Sequence, residues 1–359
     1  MKFAHISDIH FDSPFVNLSD EDGLGEIRRL EQRKALKKSI EYVKENNIKY
    51  LFISGDLYEQ KYIKKSTIEF INNLFKEIPN TKIFITPGNH DPFIKNSYYN
   101  TFNWNENVKI FNSKIERVEC EDCNIYGFGF NDFTCKDSKI QDLEIDEKNK
   151  INILVIHGTL DGSATDGNNY NPISSKILEE KGFDYVALGH IHKSNFDKNN
   201  QKIVYPGSLV SLGFDELGEH GMIVGDIEKD KLNLEFIKID ETEFVLKEID
   251  ITEINSEEEL IEKLNECEIK ENNLAEIILV GRRNFEINKY EILKLIKNNK
   301  IIKIKNNTKI NYDLNDLAND NTLKGLFAKK MLEKLNNKET TEEKRKIIED
   351  AIEIGLDAF

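Results

Sequence analysis

Over its first 240 residues the chain alternates short β-branched or aromatic runs with longer stretches of helical spacing. That alternation limits the fold more than any other feature. The runs "KFAHIS" (2–7), "YLFIS" (50–54), "KIFITP" (82–87), "NIYGFGF" (124–130), "INILVIH" (151–157), "DYVALG" (184–189) and "KIVYPG" (202–207) read as strands. Helical patterns fill 25–46, 66–77 and 173–181, and "GMIVGDIE" (221–228) with "KLNLEFIKI" (231–239) reads as a closing hairpin. Apolar strands interleaved with helices belong in sheets buried between helices, so the expected fold class is α/β, an α+β layered arrangement.

The strands share a second property: most end in a residue able to bind a metal. "SDIH" brings Asp8 and His10, "SGDLY" brings Asp56, and "PGNHD" brings Asn89, His90 and Asp91. "IHG" brings His157, and "GHIH" brings His190 and His192. In layered α/β domains ligands gather at the carboxyl ends of strands, so side chains distant in sequence converge there. His190 and His192 lie two apart on extended backbone and leave the same face, suited to one ion or to two adjacent ions. Each motif alone is weak, since a lone histidine is more often structural. Together they account for five of the seven histidines, with His5 just before the first motif. Carboxylate, amide and imidazole donors without sulfur suit manganese, iron or zinc. The candidate ligands are too many for one tetrahedral ion and fit two divalent ions sharing a bridging carboxylate.

Composition narrows the partners. The hydrophobic fraction of 39% supports a full core, and the formal net charge of −15 argues against a general nucleic-acid coat or a membrane-surface binder. Any nucleic-acid activity must come from a local patch, from metal ions or from a partner. Residues 1–7 read as a strand rather than a signal peptide, and no apolar run is long enough to span a bilayer, so a cytoplasmic location is expected. Cys120 and Cys123 form a C-x-x-C without a second pair at zinc spacing, and Glu119, Glu121 and Asp122 around them disfavour thiolates. Reduced cysteines, some of them exposed, are expected.

D-x-H, G-D, G-N-H-D, H-G and G-H-x-H in that order resemble the signature of the calcineurin-like metallophosphoesterases. The chain is particularly similar to the SbcD-type DNA repair nucleases and their YhaO-like bacterial branch, through "SDIHFDSPF" (7–15), "GFDYVALGHIHK" (182–193), "YPGSL" (205–209) and "AIEIGLDAF" (351–359). The resemblance implies a β-sandwich flanked by helices over 1–240. It implies one metal on Asp8, His10, Asp56 and His192, and a second on Asp56, Asn89, His157 and His190, with Asp56 bridging. His90 is then a catalytic residue rather than a ligand, and Asp91 is a candidate to orient it. The implied activity is two-metal DNA cleavage, exonuclease or endonuclease, in double-strand-break repair with an SbcC-like coiled-coil ATPase; manganese is the expected metal. A homodimer is compatible with this reading. Some SbcD-type relatives carry a histidine three residues after the bridging Asp, where this chain has Glu59, so exonuclease direction and strand preference do not carry over.

The remainder of the chain restarts a pattern. Residues 245–311 read as a small separate βαβαβ domain, with a Ser256/Glu259 capping box opening its first helix, and the resemblance implies that it is a capping domain. In 312–359 the helix 322–335 puts Leu323, Leu326, Phe327 and Met331 near one face. A second helix, opened by a Thr340/Glu343 capping box, carries Ile347, Ile348, Ala351, Ile352 and Leu356. This helical hairpin either packs on its own chain or docks on the ATPase. Bland roles fall to His5 (support for the sheet), His220 (a turn) and Lys61, Lys64, Lys65 and Lys193 (solvated surface, or phosphate positioning). The loop 161–172 is expected to line the substrate channel. Two rival functions remain: a phosphatase or small-molecule or cyclic-nucleotide phosphodiesterase on the same centre, and a non-catalytic assembly subunit.

Overall fold

The computed structural model describes residues 1–15, 23–145, 147–162, 170–197, 201–338 and 340–358. It divides into two compact units, Met1–Val245 and Leu246–Phe359. Residues 163–169 of the expected channel loop lie outside the described residues.

In the first unit the elements are β1 (Lys2–Ile6), α1 (Leu24–Glu45), β2 (Tyr50–Ile53), α2 (Lys65–Lys76), β3 (Lys82–Ile85), α3 (Tyr98–Thr101), β4 (Val108–Ile110), β5 (Glu116–Glu119) and β6 (Cys123–Gly127). They continue as β7 (Ile151–His157), α4 (Ser175–Lys181), β8 (Tyr185–Gly189), β9 (Ile203–Val204), β10 (Gly221–Glu228) and β11 (Lys231–Lys238). One sheet runs β11-β10-β1-β2-β3-β4 and the other β5-β6-β7-β8-β9. β1 to β4 are parallel neighbours, as are β6 to β9, while the β10–β11 hairpin and β5 close edges antiparallel.

Alternation along these strands builds the layers. Phe3, Phe52 and Phe84 of the first sheet meet Ile125, Ile153, Val155 and Ala187 of the second in one core. Their sequence neighbours Ala4, Leu51, Ile53 and Ile83 turn the other way, against Leu36 and Ile40 of α1 and Ile68 and Phe75 of α2. Leu154, Ile156 and Leu188 do the same against Leu178 of α4. The result is a mixed α/β fold, two packed sheets flanked by helices. Each large apolar side chain so buried contributes about 1.5–3 kcal/mol relative to exposure.

The second unit contains most of β12 (Glu243–Asp250), then α5 (Glu257–Asn265), β13 (Asn273–Val280), β14 (Arg282–Arg283), α6 (Lys289–Leu295), β15 (Ile301–Asn306), β16 (Lys309–Ile310), α7 (Leu314–Ala318), α8 (Leu323–Leu335) and α9 (Glu342–Asp357). Its three-stranded sheet runs β12-β13-β15. Ser256 caps α5 by accepting from the Glu259 N–H, but the Glu259 carboxylate reaches back to Asn255 N–H rather than to the cap itself. The expected single strand over 300–310 is broken, because Asn306 Oδ1 accepts from Thr308 N–H in an Asx turn. The α9 cap falls one residue later than the spacing suggests: Thr341 accepts from Lys344 N–H, and Thr340 instead donates to Lys334 O. Met331 and Leu335 of α8 pack on Ile352 and Leu356 of α9. Leu323, Leu326, Ile347 and Ile354 stay exposed. Among the described residues no helix is long and apolar enough to cross a membrane.

Candidate metal centre

The loops after β1, β2, β3, β7 and β8 meet at one end of the sandwich. Asp8 N–H donates to Gly55 O at 3.1 Å, His10 N–H to Asp56 O at 2.9 Å, and Gln60 N–H to His90 O at 2.9 Å. These bonds lock the first three motifs together outside the sheet ladder. From α1, Gln32 donates to Ile9 O (2.7 Å) and His10 O (3.0 Å), so the helix props the first loop. The backbone is strained here: Asp8, His10, Asp56 and His190 all have positive φ (51°, 52°, 51° and 109°). Non-glycine residues in such conformations cost about 1–3 kcal/mol each and cluster at functional sites. Gly55 has φ +93°, and a Cβ there would lie 2.2 Å from His157 Nδ1.

All seven candidate ligands come together. Ligand atoms of Asp8, His10 and His192 lie within 4.8 Å of one another, and so do those of Asp56, His157 and His190. His10 Nε2 faces His192 Nε2 at 3.1 Å and lies 3.8 Å from Asp56 Oδ2. His157 Nε2 lies 3.3 Å from Asp56 Oδ2 and 3.0 Å from Asn89 Oδ1. Asp56 therefore touches both groups.

Three imidazoles are oriented from behind. His10 Nδ1 donates to Glu59 (2.8 Å), His192 Nδ1 to Glu216 (2.6 Å) and His157 Nδ1 to Ser54 O (2.9 Å). That leaves each Nε2 turned inward, the arrangement of metal-ligating histidines. Inward imidazole nitrogens with carboxylate and amide oxygens, and no sulfur, fit divalent ions such as manganese, iron or zinc. His190 is set between rings, 5.2 Å from His157 and 5.7 Å from Tyr170.

The charges agree with this geometry. Burial alone would raise Asp56, but His157, His90 and His10 outweigh it and hold the carboxyl well below its usual range. Burial would lower His157, and Asp56 brings it up to about 9. His190 falls to about 4 through burial and the neighbouring His157.

His90 is 45% exposed at the rim, its ring edge-on to His10 at 4.7 Å. Its Nδ1 donates to Glu59 Oε2 at 3.0 Å, so one carboxylate holds His10 and His90 together. Against burial, the charges of Asp56 and Glu59 raise His90 to about 10.

Asp91 does not orient His90. It is buried and accepts from Asp56 N–H (3.1 Å), Leu57 N–H (2.7 Å), Gly88 N–H (2.6 Å) and Tyr99 O–H (2.6 Å), bracing the second and third loops. His5 supports the sheet, 2.7 Å from Ser54 Oγ and 2.9 Å from Tyr185 Oη. His220 is more than a turn residue, since it is buried between Ser208 and Glu216. Lys61 lies over the Tyr62 ring and Lys65 pairs with Glu69, both surface arrangements. Cys120 and Cys123 are buried, Cys135 and Cys267 partly so, and all four are free thiols. Sequence reasoning noted Glu59 only as a departure and missed Glu216, for which no local spacing gives a signal.

The family model for calcineurin-like phosphoesterases matches residues 1–194. The chain belongs to that family. Calcineurin-like phosphoesterases are metal-dependent phosphoester hydrolases that use a dinuclear metal centre. The chain is 24% identical over 265 residues to the uncharacterized metallophosphoesterase YhaO of Bacillus subtilis (70% of this chain, 64% of that one). It thus spans less than two-thirds of that relative's length. It is 26% identical over 301 residues to the SbcD nuclease subunit of Staphylococcus epidermidis (74% of this chain, 75% of that one). Among solved structures, a novel archaeal phosphodiesterase matches 66% of this chain and 100% of its own at 18% identity and a TM-score of 0.34, too slight a likeness to bear on function.

Proposed function

We propose that the protein is a two-metal DNA nuclease. The carrying observation is two groups of N/O ligands, Asp8 with His10 and His192 and Asp56 with His157 and His190, joined where Asp56 approaches His10, with the half-exposed His90 beside them. Asp8, His10, Asp56 and His192 would hold one ion, and Asp56, Asn89, His157 and His190 the other. When bound, two such ions supply Lewis acidity at phosphoryl oxygens and lower the pKa of water. Asp56 would serve both, since its Oδ2 lies 3.8 Å from His10 Nε2 and 3.3 Å from His157 Nε2 while its Oδ1 accepts from His90 N–H. Glu59 fixes the His90 ring through Nδ1, which leaves Nε2 for the substrate. With Nδ1 held by Glu59, His90 can neutralise charge on the phosphoryl group or protonate the leaving oxygen.

The choice of DNA is supported by the SbcD relative and by a second α/β unit beyond residue 245, which hydrolysis of a small diester does not need. Manganese is the proposed metal. An SbcC-like coiled-coil ATPase is the proposed partner: beside a chain of net charge −15, a second protein can supply DNA-binding surface. In this reading 245–311 caps the substrate channel, and the exposed leucines and isoleucines of α8 and α9 face the ATPase.

The test is cleavage of DNA with defined ends in manganese and in magnesium, with and without the ATPase. Manganese-stimulated cleavage is expected. His90→Ala should lower turnover by about 10²–10⁴-fold with metal content unchanged. A pure, metal-loaded protein inert on every DNA form, alone and with the ATPase, contradicts the proposal. Fast turnover of bis(p-nitrophenyl) phosphate or cyclic nucleotides without DNA cleavage would point to a small-diester phosphodiesterase.

A further inference from the structure

Residues 207–220 lie beyond the family match, and in the structure they converge on one side chain. The Glu216 carboxylate takes the Nδ1 proton of His192 at 2.6 Å on one oxygen. Its other oxygen accepts from the Ser208 hydroxyl at 2.8 Å and from Leu212 N–H at 3.0 Å. Its backbone is held as well: Glu216 O accepts from Ser211 Oγ at 2.8 Å and from His220 Nε2 at 3.0 Å. The loop closes back on its target, since Ser208 N–H donates to His192 O at 2.9 Å. So many bonds on one partly buried carboxylate exceed what a surface turn needs.

We propose that Glu216 is a positioning residue for His192, fixing the tautomer and ring angle that aim Nε2 at His10 and Asp8. This rests on the metal-centre reading above. A ligand histidine that gives its rear N–H to a carboxylate is a more basic and better-oriented donor, and losing such a partner typically weakens metal binding 10–100-fold. The support is one-sided. His10 and His192 lean on carboxylates, whereas His157 leans on the uncharged carbonyl of Ser54. Removing Glu216 therefore acts on the ion held by Asp8, His10 and His192 and spares the one beside His157 and His190.

The experiment is calorimetric titration of the full-length, chelator-stripped protein with Mn²⁺, comparing wild type, Glu216→Gln and Ser208→Ala. Glu216→Gln keeps the side-chain shape but leaves one acceptor oxygen for three donors. One of two binding events should weaken about 10–100-fold while the other holds. The Mn²⁺ concentration for half-maximal diester turnover should rise by the same factor. Ser208→Ala, which removes one anchor of the carboxylate, should weaken the same event by less. Both events unchanged, or both weakened alike, in a variant whose melting curve shows it folded overturns the proposal. If Glu216→Gln does not fold, the Ser208→Ala titration decides by the same outcomes. A one-sided loss in a protein that cuts no DNA would leave this proposal standing and remove only the nuclease reading.

Discussion

His157 and His192 are in the same electrostatic situation. Burial would strip each of its proton, and a carboxylate returns it, Asp56 for His157 and Glu216 for His192, so both sit at about 9. A metal takes imidazole through an unprotonated nitrogen, so ion uptake must displace these protons. The sign follows: below about 9 the proton competes, and apparent metal affinity rises with pH between 7 and 9 and levels off above. Uptake at pH 7 should release on the order of two protons, read from manganese calorimetry in buffers of different ionisation heat. Heats independent of buffer would contradict this. Asp91 makes a different prediction from the one its place after His90 suggests. Asp91→Ala strands three backbone N–H groups and the Tyr99 hydroxyl in the interior. It should cost about 2–4 kcal/mol in denaturant unfolding. Full stability with a catalytic loss like that of His90→Ala would restore an orienting role.

Strand ends do the positioning at the next scale, and they do it through close backbone approach. A Cβ on Gly88 would lie 2.3 Å from Asp56 Oδ1. Gly88→Ala should push the shared carboxylate out of place, lowering metal content at both sites and costing about 1–3 kcal/mol of stability. Emission spectrometry and a thermal melt on one sample check this, and two tightly held ions per chain would refute it. The motif glycines and the candidate ligands after the strands were legible because strand period and turn chemistry are local signals. The helices α1, α2 and α4 were legible for the same reason. The broken strand after Asn306 and the later cap at Thr341 were not, because each turns on which of several short polar side chains captures a backbone N–H. Glu216 was not legible either: its bond to His192 spans 24 residues and depends on how the loop 207–220 folds back.

For the whole molecule, the seven proposed ligands fall at 8, 10, 56, 89, 157, 190 and 192, and the alternation of strands and helices is what gathers them at one end of two packed sheets. A chain with net charge −15 can act on a polyanion only where that charge is locally reversed, which two divalent ions bound at this end of the sandwich would do. The most direct test is an anomalous difference map at the manganese edge from a crystal soaked in Mn²⁺. Two peaks are predicted about 3.5–4 Å apart and bridged by Asp56, one among Asp8, His10 and His192 and the other among Asn89, His157 and His190. A single peak, or peaks away from Asp56, would contradict the assignment.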